Sequence, residues 1–186
     1  EDTLFYRQNM LLGLNEVGAE PVHPTFSLAR FHEEMELRAR LQPKGISSTS
    51  THDTKRGEDA RARLYALSEA PEVWIEAVER WRKMNSEFVQ QLKGGAAPEP
   101  EIEWTLYQAL AGMLPPDFNG KDEQALGEIR ERFLAYVEKA LREAKLRTNW
   151  GDPDEEYEQA VKTYAEQLLS SGSSAFLEDF LKTLRP

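Results

Sequence analysis

The run Ser48-Thr49-Ser50-Thr51-His52-Asp53-Thr54-Lys55-Arg56-Gly57-Glu58-Asp59 gathers a hydroxyl cluster, a His-Asp pair and a pair of cations in one turn-like stretch. A carboxylate beside an imidazole can donate and accept hydrogen bonds at a polyhydroxylated ligand, and a neighbouring cation keeps that carboxylate ionised. The preceding Lys44-Gly45-Ile46-Ser47 reads as a short extended segment, so His52 and Asp53 would stand where a strand gives way to a loop. Carboxylates at strand ends are where barrel enzymes place their chemistry. The plainer reading of the same residues is an Asx turn with a surface His beside it. Lys55 and Arg56 likewise have two readings: ligand and carboxylate partners, or a charged start to the next helix, although cations there oppose the helix dipole. A serine nucleophile is a poor account of Ser48, Ser50 and Thr51, because neighbours on an extended chain alternate faces and seldom form a triad. His23, His32 and His52 are scattered, His32-Glu33-Glu34 lacks the paired histidines of a zinc helix, and no glycine-rich phosphate loop is present. The expectation is therefore no metal and no cofactor.

The elements that must position this run are helical. Apolar spacing near three and four dominates and predicts about eight helices with at most one short strand, an all-α array. A helix is expected from Pro71 to about Leu92, with Trp74, Ala77, Val78, Trp81, Met84 and Phe88 on one face. A second long helix, from about Lys121 to Arg147, places Leu126, Ile129, Phe133, Val137, Ala140 and Ala144 on a stripe. Asp152 is the expected cap of a helix opening at Pro153, with Tyr157, Val161, Tyr164 and Leu168 inward. After the breaker Ser170-Ser171-Gly172-Ser173-Ser174, a last helix carries Phe176, Phe180 and Leu184. Gly94-Gly95-Ala96-Ala97-Pro98-Glu99-Pro100 reads as a linker before a helix over Glu101 to Met113, which Leu114-Pro115-Pro116 stops. Upstream, helices around Thr3 to Val17 and Ser27 to Leu41 flank the loop Glu20-Pro21-Val22-His23-Pro24. The chain thus divides at about residue 70: residues 1–69 carry the motif-like polar segments, and residues 70–186 read as a regular helical subdomain.

Composition narrows the function classes. With 23 Lys and Arg against 33 Asp and Glu the net charge is -10, which repels nucleic-acid backbones and anionic membranes but leaves a neutral sugar unaffected. The absence of cysteine excludes disulfides and thiolate metal sites. No apolar run is long enough to cross a bilayer, and a cytoplasmic location is the default. At 186 residues the chain can bury roughly 70% of its unfolded surface, enough for one good core. It begins at Glu1 without an initiator Met and is expected to be an excerpt of a larger polypeptide. Trp74 and Trp81 share a helical stripe with aliphatics and belong to a core. Trp104 lies beside acidic residues and fits either a core or a site. Trp150, in the loop Thr148-Asn149-Trp150-Gly151-Asp152, is the aromatic candidate for substrate contact outside the first part.

Taken with Glu1-Asp2-Thr3-Leu4-Phe5-Tyr6-Arg7 and Leu14-Asn15-Glu16-Val17-Gly18, the 48–59 run resembles the maltooligosyl trehalose synthases, glucan 1-alpha-glucosylmutases of the α-amylase family. Further matches are Ala60-Arg61-Ala62-Arg63-Leu64, Tyr107-Gln108-Ala109-Leu110-Ala111-Gly112, Lys139 to Lys145, and Thr148-Asn149-Trp150. The resemblance implies a segment excised from a (β/α)8-barrel enzyme that turns the reducing-end α-1,4 bond of a maltooligosaccharide into an α,α-1,1 linkage. It implies that Asp53 steadies the oxocarbenium-like transition state, with His52 bonding the hydroxyls of the sugar being cleaved and Lys55 or Arg56 the glucose on the leaving side. Tyr6, Arg7, Asn15 and Glu16, with Asp2, would shape the same mouth, Tyr6 offering a stacking face. The nucleophilic Asp and proton-donating Glu would belong to earlier barrel strands, so the isolated chain is expected to fold but to be inactive. Its partners would be the sugar and the rest of the barrel. Two other classes stay open: an autonomous acidic helical module that binds a protein, and part of a related hydrolase or glucosyltransferase.

Overall fold

The computed structural model describes residues 2–19, 26–170 and 174–185, with the side chains of Asp2 and Ser174 left aside. The expected loop at 20–24, with His23, lies outside the described residues, as does most of the serine cluster at 170–174. Among the described residues eight α-helices and one two-stranded sheet form, in the order α1 (Asp2–Arg7), α2 (Leu28–Leu41), α3 (Glu58–Ala66), α4 (Pro71–Met84), β1 (Gln90–Leu92), β2 (Gly95–Ala97), α5 (Pro100–Met113), α6 (Glu123–Ala144), α7 (Glu155–Leu168) and α8 (Ser174–Leu184). The all-α array is what the periodicity requires. None of these helices is long and apolar enough to cross a membrane.

The centre of the array is α5, buried almost all round from Thr105 to Gly112, as its low polarity dictates. Helix α3 and the end of α4 pack against it, α6 crosses it, and α7 and α1 lie along α6. Trp74, Trp81, Tyr107, Phe176 and Phe180 interlock where α4, α5 and α8 meet, with ring centroids 4.7 to 6.4 Å apart in tilted and edge-on pairs. Among the described residues Trp74 Nε1 is buried without a partner, whereas the hydroxyls and carboxylate at the centre of this core are paired. Tyr107 and Tyr164 share a hydroxyl–hydroxyl bond of 2.6 Å, Tyr164 donates to Glu103 at 3.1 Å, and the Asn85 amide donates to the Tyr107 hydroxyl at 3.2 Å.

Several element boundaries differ from the sequence reading. The helix expected over 3–17 ends at Arg7, because the Asn15 amide donates to the Phe5 carbonyl at 2.7 Å and also bonds the Gln8 carbonyl, turning the chain back on itself. A short 3-10 turn, Leu12–Leu14, follows, docked on α3 so closely that a Cβ on Gly13 would meet the Tyr65 ring at 2.9 Å. Helix α4 stops at Met84, where buried Asn85 leaves the helix to reach Tyr107, so Met84 is exposed and Phe88 sits in a separate turn. The stretch expected as a linker holds β2: Lys93-Gly94 is a two-residue hairpin turn, and Gly95, opening β2 opposite Leu92, takes φ +111, which a side chain would resist. Arg147 fastens that hairpin by donating to the Ala96 carbonyl and the Glu99 carboxylate, each at 2.9 Å. Asp154, not Asp152, caps α7, accepting from the Tyr157 amide at 3.0 Å, while the Asp152 amide bonds Asn149. No strand forms at 44–47, since a strand needs a neighbour to complete its ladder and Ile46 there is 96% exposed.

Candidate functional site

The 48–57 run lies on the outside of the array, just ahead of α3. Its turn is built locally: the Thr54 amide and hydroxyl both donate to the Thr51 carbonyl, at 3.2 and 2.8 Å, and the Thr51 hydroxyl accepts from the Asp53 amide at 3.2 Å. That is the hydrogen-bonding habit of short hydroxyl side chains in turns. At its start, Thr49 is tied to α3 through bonds from its hydroxyl to Glu58 and from Arg61 to its carbonyl. His52 and Asp53 sit at the tip with side chains 91% and 64% exposed, His52 Nε2 3.5 Å from Asp53 Oδ2. So exposed a pair adds almost nothing to stability.

The other end of the turn is held from inside. Glu16, 8% exposed, accepts from the amides of Val17 at 2.9 Å and Lys55 at 2.7 Å on one carboxylate oxygen, and from the Arg56 amide at 3.3 Å on the other. The Arg56 side chain then donates to the Leu12 carbonyl at 3.3 Å and the Tyr136 hydroxyl at 3.0 Å, its guanidinium 5.8 Å from the Tyr136 ring centre. Tyr6 lies in the same neighbourhood: burial pushes its hydroxyl above the ordinary value and the nearby Tyr136 adds to this, while Lys55 and Arg56 pull the other way and Glu143 raises it again. Glu143 in turn accepts from Trp150 Nε1 at 3.1 Å, and Arg142 covers one face of that indole at 4.8 Å. Trp150 is otherwise open to solvent.

The structure therefore gathers Glu16, Lys55, Arg56 and Tyr6 on one edge, beneath the His52–Asp53 tip, while Trp150 stands against Glu143 and Arg142 near the end of α6. Arg7 and Asn15 are spent on backbone carbonyls instead, Arg7 at the surface and Asn15 in the interior. Arg7 donates to the Ala144 and Lys145 carbonyls, at 2.7 and 3.1 Å, where α6 ends with orphan acceptors, and Asn15 is buried on the carbonyls that close α1. Sequence reasoning missed Tyr136 and Gln108. Tyr136 precedes buried Val137 on α6, and its hydroxyl was the signal that it could take a polar partner. Gln108 accepts from the Leu12 amide at 2.9 Å and donates to the Asn9 carbonyl at 2.8 Å, so it fixes the loop from which Glu16 projects. A glutamine inside the apolar run Tyr107 to Ala111 was the available clue. Among the described residues no cluster of three or more His, Cys, Asp or Glu could hold a metal ion.

The architecture is that of an all-α array carrying a polar, solvent-facing turn on one edge. No family model matches the sequence. In sequence and fold it is homologous to one segment of the maltooligosyl trehalose synthases. A Mycobacterium tuberculosis protein named "Putative maltooligosyl trehalose synthase" is 38% identical over 170 residues, 91% of this chain and 20% of that protein. The crystal structure of a Sulfolobus tokodaii hypothetical maltooligosyl trehalose synthase superposes with a TM-score of 0.80 at 31% identity, over 98% of this chain and 23% of that one. The maltooligosyltrehalose synthase from Arthrobacter ramosus does so with 0.73 at 32% identity, over 98% of this chain and 21% of that one. The chain spans about a fifth of the length of the curated relatives it matches.

Proposed function

We propose that this chain supplies the transition-state-stabilising edge of a trehalose-forming glucosylmutase of the α-amylase family, an intramolecular transferase acting on maltooligosaccharides. The observation that carries the reading is the His52–Asp53 tip, two polar side chains open to solvent on a backbone held by Thr51 on one side and Glu16 on the other. A backbone held by hydrogen bonds that carries solvent-exposed functional atoms is what a group needs if its bonds are to strengthen as charge develops on a sugar ring. In the proposed reaction Asp53 faces the oxocarbenium-like ring, His52 bonds its hydroxyls, and Lys55 meets the sugar on the leaving side. Tyr6 and Trp150 serve as faces for further pyranose units.

A retaining site needs two carboxyl groups about 5 Å apart across the scissile bond. By resemblance these come from earlier barrel strands, so the chain alone would be inactive and would work joined to the rest of a catalytic barrel. Helix α2 supports that partnership. Leu28, Phe31 and Met35 share one of its faces, all exposed, and the helix buries none of its residues. The homologous solved chains are more than four times longer, so polypeptide is available there to cover this face. The array from about residue 70 onward would act as a lid that keeps water from the glucosyl intermediate.

Asp53→Asn in a full-length synthase carrying this segment tests the proposal. Trehalose-forming turnover should fall by about 100-fold or more with the fold retained. Unchanged turnover would refute it. Conversion of maltopentaose to a non-reducing sugar by the 186-residue chain alone would refute the inactivity, and release of glucose in place of an α,α-1,1 product would assign the segment to a hydrolase.

A further inference from the structure

Resting on that reading of Asp53, the geometry points to Glu16 as a positioning residue that sets the catalytic turn from below without touching the sugar, with Tyr136 and Arg56 as its second tether. Both Glu16 oxygens are already occupied by amides, two of which belong to the turn itself, at Lys55 and Arg56. A carboxylate so nearly enclosed is costly unless its lone pairs are met by donors. Here three N–H groups meet it. An amide side chain could not replace it, because a Gln would aim its NH2 donors at backbone N–H donors on one side.

The loop bearing Glu16 is itself immobilised by Gln108 on α5 and by the Leu12–Leu14 turn on α3. The Arg56 side chain, in turn, reaches the Leu12 carbonyl and the Tyr136 hydroxyl on α6. The catalytic turn is thus bound at its backbone by the carboxylate and at its next side chain by the array. Its tip position follows the packing of α3, α5 and α6. Displacements near 1 Å at a reacting group cost about 100-fold in rate, so a clamp of this kind acts on turnover more than on binding.

Glu16→Gln and Tyr136→Phe, each in a full-length synthase carrying this segment and each in the 186-residue chain, test the inference. In the synthase Glu16→Gln should lower kcat by about 10- to 100-fold while KM for maltopentaose moves by less than about threefold. In the chain it should speed amide hydrogen exchange at Lys55 and Arg56 by about tenfold or more, with exchange in α5 unchanged. Tyr136→Phe removes one hydroxyl and should give the same pattern at Arg56 with a smaller loss of kcat, about threefold; it decides the matter if Glu16→Gln fails to fold. Unchanged exchange at Lys55 and Arg56 in a folded variant, or a rise in KM in place of the loss of kcat, would overturn the inference. If Asp53→Asn leaves turnover intact while exchange responds as expected, the clamp stands and the catalytic reading fails.

Discussion

Residues 26–56 and residues 58–185 use the same alphabet to opposite ends. In the first stretch α2 and the segment after it leave Phe26, Leu28, Leu41 and Ile46 facing solvent, and polar side chains bond within their own turn or to its neighbours. In the second, comparable apolar residues close into one core whose buried hydroxyls and carboxylates find partners tens of positions away, as Tyr107 and Glu103 both do at Tyr164. The contrast teaches that residues 58–185 are held chiefly by their own core, while the motif-bearing stretch takes its order, through Glu16 and Arg56, from contacts outside itself. A site on borrowed order can change its side chains with little effect on folding. The core cannot.

The largest effect that would test this contrast is Trp81→Ala. The indole is fully buried between α5 and α8 and donates from Nε1 to Asp179 at 2.8 Å, so its removal should cost about 3–5 kcal/mol in a denaturant titration. A loss below about 1 kcal/mol would mean the core is looser than described.

Next comes Tyr164→Phe, which leaves Glu103 and the Tyr107 hydroxyl each short of a bond and should cost about 1–3 kcal/mol by the same measurement. An unchanged midpoint would show that the core bears the loss of this hydroxyl without cost.

Acid titration sharpens the comparison inside the array. Burial raises the Glu103 carboxyl above the ordinary 4.5, so its ionised form opposes folding at neutral pH and the opposition lifts as pH falls through the raised value. Glu158 runs the other way. The Arg142 guanidinium, against the effect of burial and with help from Thr148, lowers its carboxyl, so its stabilising contribution is present above 4.5 and is lost as pH falls through the lowered value. The melting temperature should therefore hold or rise slightly as pH approaches 4.5 from above and then drop. Glu158→Gln should flatten the drop, and Glu103→Gln the earlier rise. Melting curves in which neither substitution changes the pH profile would contradict these assignments.

The smallest effect is expected at the edge. His52→Ala and Phe31→Ser, both at exposed positions, should change the stability of the 186-residue chain by less than about 0.5 kcal/mol. A larger loss at Phe31 would show that α2 already packs against something in this chain, and would break the contrast.

Much of the array is legible in residue order because helical periodicity is local. Trp74, Ala77, Val78 and Trp81 occupy the buried face their spacing marks, as do Leu126, Ile129, Phe133 and Val137 on α6. The errors fall where a distant partner overrides a local preference. Asn85 ends α4 to reach Tyr107, Asn15 folds α1 back, and the stretch around Gly94-Gly95 becomes part of a hairpin that Arg147 secures. At the edge, the motif announced which residue types matter but not which way they face. Glu16 and Asn15 are neighbours in sequence, yet one carboxylate holds the turn that carries His52 and Asp53 and the other side chain closes a helix.

What the sequence by itself determined is the helical periodicity, the acidic surface, and the His52–Asp53 run with its hydroxyls, since these depend on residue type and spacing over one or two turns. Only the tertiary structure decided that Glu16 lies under Lys55 and Arg56, that Tyr136 receives Arg56, and that the tip is left open to solvent. Those are contacts across 39 to 80 positions of chain. No local propensity encodes them; they follow from how α3, α5 and α6 bury their apolar faces together.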